Sequence, residues 1–236
     1  MKNTLNTTKY ITIVFLSLFT VLSSFAGTWR DDFEDDNIKE WEIYNLNRQF
    51  EKWWIDDGEA VGEILEDPFL SIWNTGELSW EHYSVSCRVK LVEDGFGTPR
   101  VDLTLHDRED EDSRYAFLLD YENNIASIHR WAPGNGFVAQ PFTVEIDTWY
   151  TLTATVTEEG SLFFQIDNFL FAGTDSSPLE GGKVGLIVGN ARARFDNFQV
   201  TGENIPNGGP AKSFAVEPAE KLSTTWGKLK KDKGIY

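Results

Sequence analysis

Cysteine and methionine are nearly absent from this sequence: Cys87 is the single cysteine and Met1 the single methionine. No internal disulfide can therefore form, and no Cys-based metal cluster can be assembled. Histidine is almost as scarce. His82, His106 and His129 occur in no HxH or HExxH spacing, which removes the usual zinc signatures. GxSxG, P-loop and GxGxxG sequences are missing as well. There is also no long apolar run after residue 22, so nothing downstream has the roughly 20 apolar residues that a membrane-spanning helix needs.

The one apolar run is at the start. Lys2 and Lys9 precede Ile11 to Leu22, and Ser24-Phe25-Ala26 supplies small residues at the −3 and −1 positions of a cleavage site. This is the pattern of a secretory signal peptide over 1–26, and it predicts a secreted, periplasmic or cell-surface protein without a stable membrane span after cleavage. Cys87 falls in the apolar series Tyr83, Val85, Cys87, Val89, Leu91, so it is expected as a buried, inert thiol.

Positive charge is short throughout the central part. The net charge is −17; residues before 27 contribute +2 and residues 211–236 contribute +3, which leaves −22 on 27–210. Such a domain is repelled by phosphate backbones, so nucleic acid is an unsuitable partner. Neutral sugars and cations remain compatible with it.

Alternation is abundant. Tyr83 to Leu91, Val101-Leu103-Leu105, Tyr150-Leu152-Ala154-Val156 and Leu162-Phe164-Ile166 each alternate with polar residues, the period of a half-buried strand. Turn signals punctuate them: Asp57-Gly58, Asp94-Gly95, Pro133-Gly134-Asn135-Gly136, Glu159-Gly160, Gly181-Gly182. This is an all-β chain, a two-sheet antiparallel sandwich over 27–202. Residues 203–211, rich in Gly and Pro, read as a linker. Residues 212–236 form a basic tail, flexible or with a short helix near Glu217–Lys231, expected to be mobile alone and to order on a protein partner.

Two segments carry a resemblance. The opening Asp31-Asp32-Phe33-Glu34-Asp35-Asp36…Trp41 and the closing Arg194-Phe195-Asp196-Asn197-Phe198-Gln199-Val200 look like the paired first and last strands of one domain. They resemble the concanavalin A-like lectin/glucanase group, a jelly-roll class that includes laminin G-like and carbohydrate-binding modules. The resemblance spans about Gly27 to Gly202. It implies a jelly-roll β-sandwich and carbohydrate binding or glycoside-acting chemistry. It also places Trp29, Trp41, Trp53 and Trp149 at structural positions.

Phe195 and Phe198 are three apart yet both look core-facing, which predicts a β-bulge at Asp196-Asn197. A bulge beside the acidic first strand would gather Asp31, Asp32, Glu34 and Asp196 as oxygen ligands of a structural Ca²⁺, an ion the resemblance also implies. The alternative is that Asp196 caps the bulge by accepting from the first strand's backbone.

Glucanases of this group carry paired carboxylates on one strand, in a Glu-x-Asp-x-x-Glu-like pattern. Here Glu145-Ile146-Asp147 has no third carboxylate. A sugar-binding surface is better supported. Alternation puts Asp102, Thr104 and His106 on one face, with Arg114, Asp120, His129 and Trp131 on the strands that follow. Trp73 and Trp80, at loop ends, are placed at its rim. The leading expectation is a non-catalytic carbohydrate-binding module. The alternatives are a glycoside-acting enzyme using Asp102, His106 and a distant carboxylate, and an adhesion or assembly module.

Overall fold

In the computed structural model, the residues described are 26–44, 52–65, 70–110, 113–131 and 135–210. The expected signal peptide, except its residue 26, and the expected tail over 212–236 lie outside them. Among the described residues there are fifteen strands: β1 (Gly27–Asp31), β2 (Glu42–Ile43), β3 (Lys52–Asp56), β4 (Glu59–Ile64), β5 (Leu70–Thr75), β6 (Tyr83–Asp94), β7 (Arg100–Asp107), β8 (Arg114–Asp120), β9 (Ile125–Trp131), β10 (Asn135–Pro141), β11 (Trp149–Val156), β12 (Ser161–Ile166), β13 (Phe169–Thr174), β14 (Lys183–Gly189) and β15 (Ala191–Gly202).

They form two antiparallel sheets. One runs β13-β12-β11-β6-β15-β4-β3, with β1 also on β15; the other runs β10-β9-β8-β7-β14-β5-β2. The inward residues of the two sheets make one core, to which Val85, Cys87, Val89, Leu103, Phe117, Leu152, Phe164 and Leu186 contribute. The fold is an all-β jelly-roll sandwich. No helix among the described residues is long and apolar enough to cross a membrane.

The chain ends meet as the alternation implies. β1 lies antiparallel to the last part of β15, Gly27 opposite Gly202 and Asp31 opposite Phe198. β4 occupies the same flank of β15 further down, Ala60 opposite Phe195. Between them sits the bulge. Asp196 faces Arg88 and Gln199 faces Ser86, so the last strand carries one residue more than its partner. Asn197 absorbs the kink at φ 52°, a conformation Asn tolerates better than most residues. The extra residue keeps both Phe195 and Phe198 inside.

Residues 203–210, expected as a linker, pack along β1 instead. Gly208 N–H donates to Thr28 O, Arg30 N–H donates to Gly208 O, and Ile205 is buried. The reason is an open strand edge: β1 is paired only on its β15 side, and the returning chain satisfies its other side.

Tryptophan placement differs from expectation at three positions. Trp80, assigned to the binding rim, is buried, its ring 6.1 Å from Trp29 and 6.3 Å from Tyr83. Trp73, assigned to the binding rim, is buried, its ring stacked 4.6 Å from Trp41 and 5.1 Å from Trp53. It faces inward because Asn74 and Ile72, its neighbours in β5, take the outer face. Trp149, assigned to the core, lies instead on the outer face of the β6–β11 pair. There Arg88 and Lys90 sit 4.5 and 4.8 Å from its ring centroid, so cations rather than core residues cover it.

Candidate carbohydrate-binding site

The candidate site lies on the outer face of the seven-stranded sheet. Strand pairing stacks three rows there. Arg100 is opposite Asp120, Asp102 is opposite Leu118 and then Ser127, and Thr104 is opposite Ala116 and then His129. This face is not solvated in the way an outer sheet face usually is. Ile72, Ile187, Asp102, Thr104 and Asn74 are all buried on it.

A cavity of about 120 Å³ opens in this face, bounded by Arg100, Asp102, Ala116, Leu118, His129, Arg130 and Trp131. Asp102 is its unusual feature. The residue is 0% exposed, and neither carboxylate oxygen accepts a hydrogen bond. Arg100 Nη2 approaches Oδ2 to 3.3 Å as an ion pair, but without hydrogen-bond geometry, and Arg100 Nε is itself buried without an acceptor. Burial pushes the Asp102 carboxyl up to about 6, against the pull of Arg100 and with a small push from Asp120. A buried carboxylate with two unused oxygens is costly.

Around it the polar groups are fixed. His129 Nε2 and Ser127 Oγ are 2.7 Å apart, and burial together with the Arg100 charge lowers the His129 pKa. The Trp131 ring holds two guanidinium groups, Arg100 at 5.2 Å and Arg114 at 5.4 Å from its centroid. Arg114 is also 5.2 Å from the Tyr44 ring. Its Nε donates to Asp107 Oδ2 at 3.0 Å and its Nη2 to Asp110 O at 2.8 Å. Asn74 Nδ2 donates to the same Asp107 oxygen.

Of the residues expected here, Asp102, His129 and Trp131 meet at the cavity. Arg114 reaches the far side of Trp131. Asp120 is on the correct face but is committed to the following turn, accepting from Asn123 N at 2.9 Å and Asn123 Nδ2 at 2.8 Å.

His106 is a correction. Strict alternation puts it on the same face as Asp102, but β7 bulges against β14. Thr104 faces Gly185 while Asp107 faces Lys183, and His106 sits at φ 53°. The extra residue turns His106 into the core, its ring 5.1 Å from Tyr83 and 5.8 Å from Tyr115, with Nδ1 3.0 Å from Leu179 O. Asp107 takes its place on the outer face. Arg100 was missed, although the alternation that exposes Asp102 on this face also places Arg100 two residues earlier.

The four carboxylates expected to hold Ca²⁺ do not share a point. Asp31 faces the core and accepts from Trp41 Nε1 at 2.7 Å and Phe33 N at 2.8 Å; burial lifts it to about 6. Asp32 Oδ1 accepts from Glu34 N at 3.3 Å in a local turn. Asp196 lies on the opposite side of β15 from the core, where Arg88 Nη1 donates to it at 3.1 Å and Asn197 Nδ2 at 2.8 Å. Nearby, Arg194 pairs with Glu59 at 2.8 Å and with Asp56. Arginines thus pair with Asp196, Glu59 and Asp56, while burial first, and then the charges of Glu59 and Glu34, raise the Asp196 pKa. Among the described residues no three His, Cys, Asp or Glu side chains converge on a metal site. The set does not fit the ion.

No protein-family model matches the sequence, and no curated protein matches it. Solved structures do match. The carbohydrate-binding module CBM66 from Bacillus subtilis superposes with a TM-score of 0.57 at 17% identity, covering 68% of this chain and 94% of that one. A Bacillus licheniformis β-glucanase gives 0.56 at 11% identity, over 75% of this chain and 98% of its own. The carbohydrate recognition domain of Emp46p, in its metal-free form, gives 0.56 at 10%, over 75% and 96%. The architecture is that of the concanavalin A-like jelly roll. At these identities the likeness is one of fold.

Proposed function

We propose that this chain is an exported, non-catalytic carbohydrate-binding domain that takes the edge of a sugar ring in the cavity over β7, β8 and β9. The observation that carries this reading is the pairing of unused groups in one small space. Asp102 offers two acceptor oxygens without donors, and Arg100 Nε offers a donor without an acceptor. A hydroxyl group donates and accepts at once, so adjacent sugar hydroxyls would satisfy both. The Trp131 indole supplies an aromatic wall for C–H contact and holds the arginines in place. The cavity is well below the roughly 300–1,000 Å³ of pockets that enclose a whole ligand, which favours one ring edge over an oligosaccharide chain. The names of the fold neighbours, a carbohydrate-binding module and a carbohydrate recognition domain among them, agree with this class of ligand.

A glycoside-acting reading has one observation in its favour: Asp102, raised to about 6, is poised as a general acid would be. Hydrolysis also needs a second carboxylate about 5–9.5 Å away across the bond. Among the described residues Asp102 is the only carboxylate lining the cavity, and Asp107 and Asp120 are engaged by Arg114 and Asn123. Binding without turnover fits better.

A glycan-array screen followed by calorimetry tests the proposal. Wild-type protein should bind a glycan subset, and Asp102→Ala and Trp131→Ala should each weaken that binding at least tenfold. Release of reducing ends from a bound glycan would favour the enzyme. Binding that survives both substitutions would remove this cavity from the function.

A further inference from the structure

A second concavity lies away from the sugar cavity, at the end of the sheet where β2, β5 and β14 begin or stop. Its volume is about 390 Å³, and Trp29, Trp80, Thr75 and Pro206 form much of its wall. Three carboxylates, Glu40, Glu42 and Glu77, line it against one ammonium, Lys183. Lys183 is bound at 3.0 Å to Glu42 and at 2.6 Å to Glu109. Asn74, 1% exposed, also lines the groove, and its Oδ1 accepts no hydrogen bond. The groove therefore suits an occupant that is cationic, rich in donors and partly aromatic.

The chain itself carries such a segment to this place. Residues 203–210 run back along β1, Gly208 bridging to Trp29, and Pro206 forms part of the groove wall. Residues 211–236 follow in sequence, with four residues between them and Pro206. They hold six lysines against three acids, and one tryptophan, Trp226, flanked by Lys221, Lys228, Lys230 and Lys231.

We propose that the groove is the docking site of the chain's own C-terminal segment, with Trp226 against Trp29 and Trp80 and the neighbouring lysines on Glu40, Glu42 and Glu77. Lysine ammoniums and the indole N–H are donors of the kind Asn74 Oδ1 lacks.

Ordering the whole segment would cost more conformational entropy than these contacts return. Only the stretch around Trp226 has to be held. The preceding residues act as a tether that keeps it at a millimolar effective concentration, so a contact of millimolar affinity half-fills the groove. The attraction is between partly exposed charges and must weaken as salt shortens the screening length. This inference is independent of the sugar-binding reading, since the two cavities share no lining residue.

The test is ¹⁹F NMR of the full chain labelled with 5-fluorotryptophan, the Trp226 signal assigned by Trp226→Phe. At about 20 mM salt the signal should lie away from that of the free peptide 211–236, and at about 0.5 M it should return to it. Glu40→Lys with Glu77→Lys, both at exposed positions, should release the signal at low salt, shifting Trp29 and Trp80 while leaving Trp41, Trp53 and Trp73 in place. A Trp226 signal at the free position in low salt overturns the proposal and leaves the segment for a separate partner. A shifted signal that ignores the charge reversal overturns it as well.

Discussion

Single residues here show which polar groups serve the fold and which burden it. Asp31 is buried and spent on Trp41 and Phe33, as a structural group should be. Asp102 is buried and spent on no hydrogen bond. Cys87 is buried too, its Sγ donating to Arg88 O at 3.2 Å and Asp196 O at 3.4 Å, and burial drives its thiol pKa upward. The native protein should therefore resist thiol reagents for as long as it stays folded, with Cys87 labelled only in denaturant; rapid native labelling would contradict its burial. Cys87→Ser should cost roughly 1 kcal/mol, because the hydroxyl inherits the two carbonyl acceptors but not the sulfur's apolar contacts. A thermal melt a few degrees below wild type is the expected reading.

His106 belongs to the same scale and gives a pH dependence with a definite sign. Burial lowers it to about 4, so the fold holds it neutral. The unfolded chain binds its proton at about 6.5, and stability on this account falls as pH drops from there towards 4. His106→Gln should flatten that part of the curve, measured by denaturant unfolding between pH 4 and 7. An unchanged slope would show that His106 is not held neutral by the fold.

At the scale of elements, the two bulges decide which side chains matter. One sets Asn197 at φ 52° and returns Phe198 to the core; the other removes His106 from the outer face and substitutes Asp107. Asn197→Gly should be nearly neutral. Asn197→Val should cost about 1–2 kcal/mol, since a β-branched residue resists positive φ. Deleting Asn197 should be tolerated, because it leaves Phe195 and Phe198 two apart and a regular strand then keeps both on the core face. Insoluble or non-cooperatively melting protein from the deletion would show that the bulge itself, and not only the register it restores, is needed there.

These elements also mark what could be read from the sequence. Strands such as Tyr83–Leu91 and Tyr150–Val156 alternate without interruption, so their inward faces were plain. The bulge in β15 was legible because two phenylalanines three apart both demanded the core. The bulge in β7 was not: Leu105-His106 offers no second apolar residue to betray the extra position. Trp73 was misplaced because a tryptophan near a loop reads alike whether its ring turns in or out. The candidate site was half legible, since Asp102, His129 and Trp131 fall on one face by register, while Arg100 matters through a long-side-chain contact with Trp131 that alternation alone does not express.

At the scale of the molecule, the first and last strands close the sandwich. β1 is held by β15 on one edge and by residues 203–210 on the other. A chain cut after Pro210 should melt close to the full chain. A chain cut after Gly202 loses the Gly208 hydrogen bonds and buried Ile205, and should melt several degrees lower. Equal melting of the two would mean that the returning segment adds nothing.

The molecule also tolerates a buried carboxylate, Asp102, that has an ion pair but no hydrogen bond, and that is the centre of the functional account. Asp102 is shifted from 3.8 to about 6 in the fold. A raised pKa means that the folded state prefers the protonated acid, so this contribution is intact below about pH 4 and is lost as pH rises through 6. A shift of this size corresponds to on the order of 3 kcal/mol lost at pH 7–8. Asp102→Asn removes the charge and keeps the shape. Thermal melts and glycan calorimetry on this one variant are the most direct measurement. The account predicts a melting temperature several degrees above wild type at pH 7.5, convergence of the two proteins below pH 4, and glycan binding weakened at least tenfold. A variant less stable than wild type at pH 7.5, with its glycan affinity intact, would make Asp102 a structural residue and contradict the assignment of this cavity as the binding site.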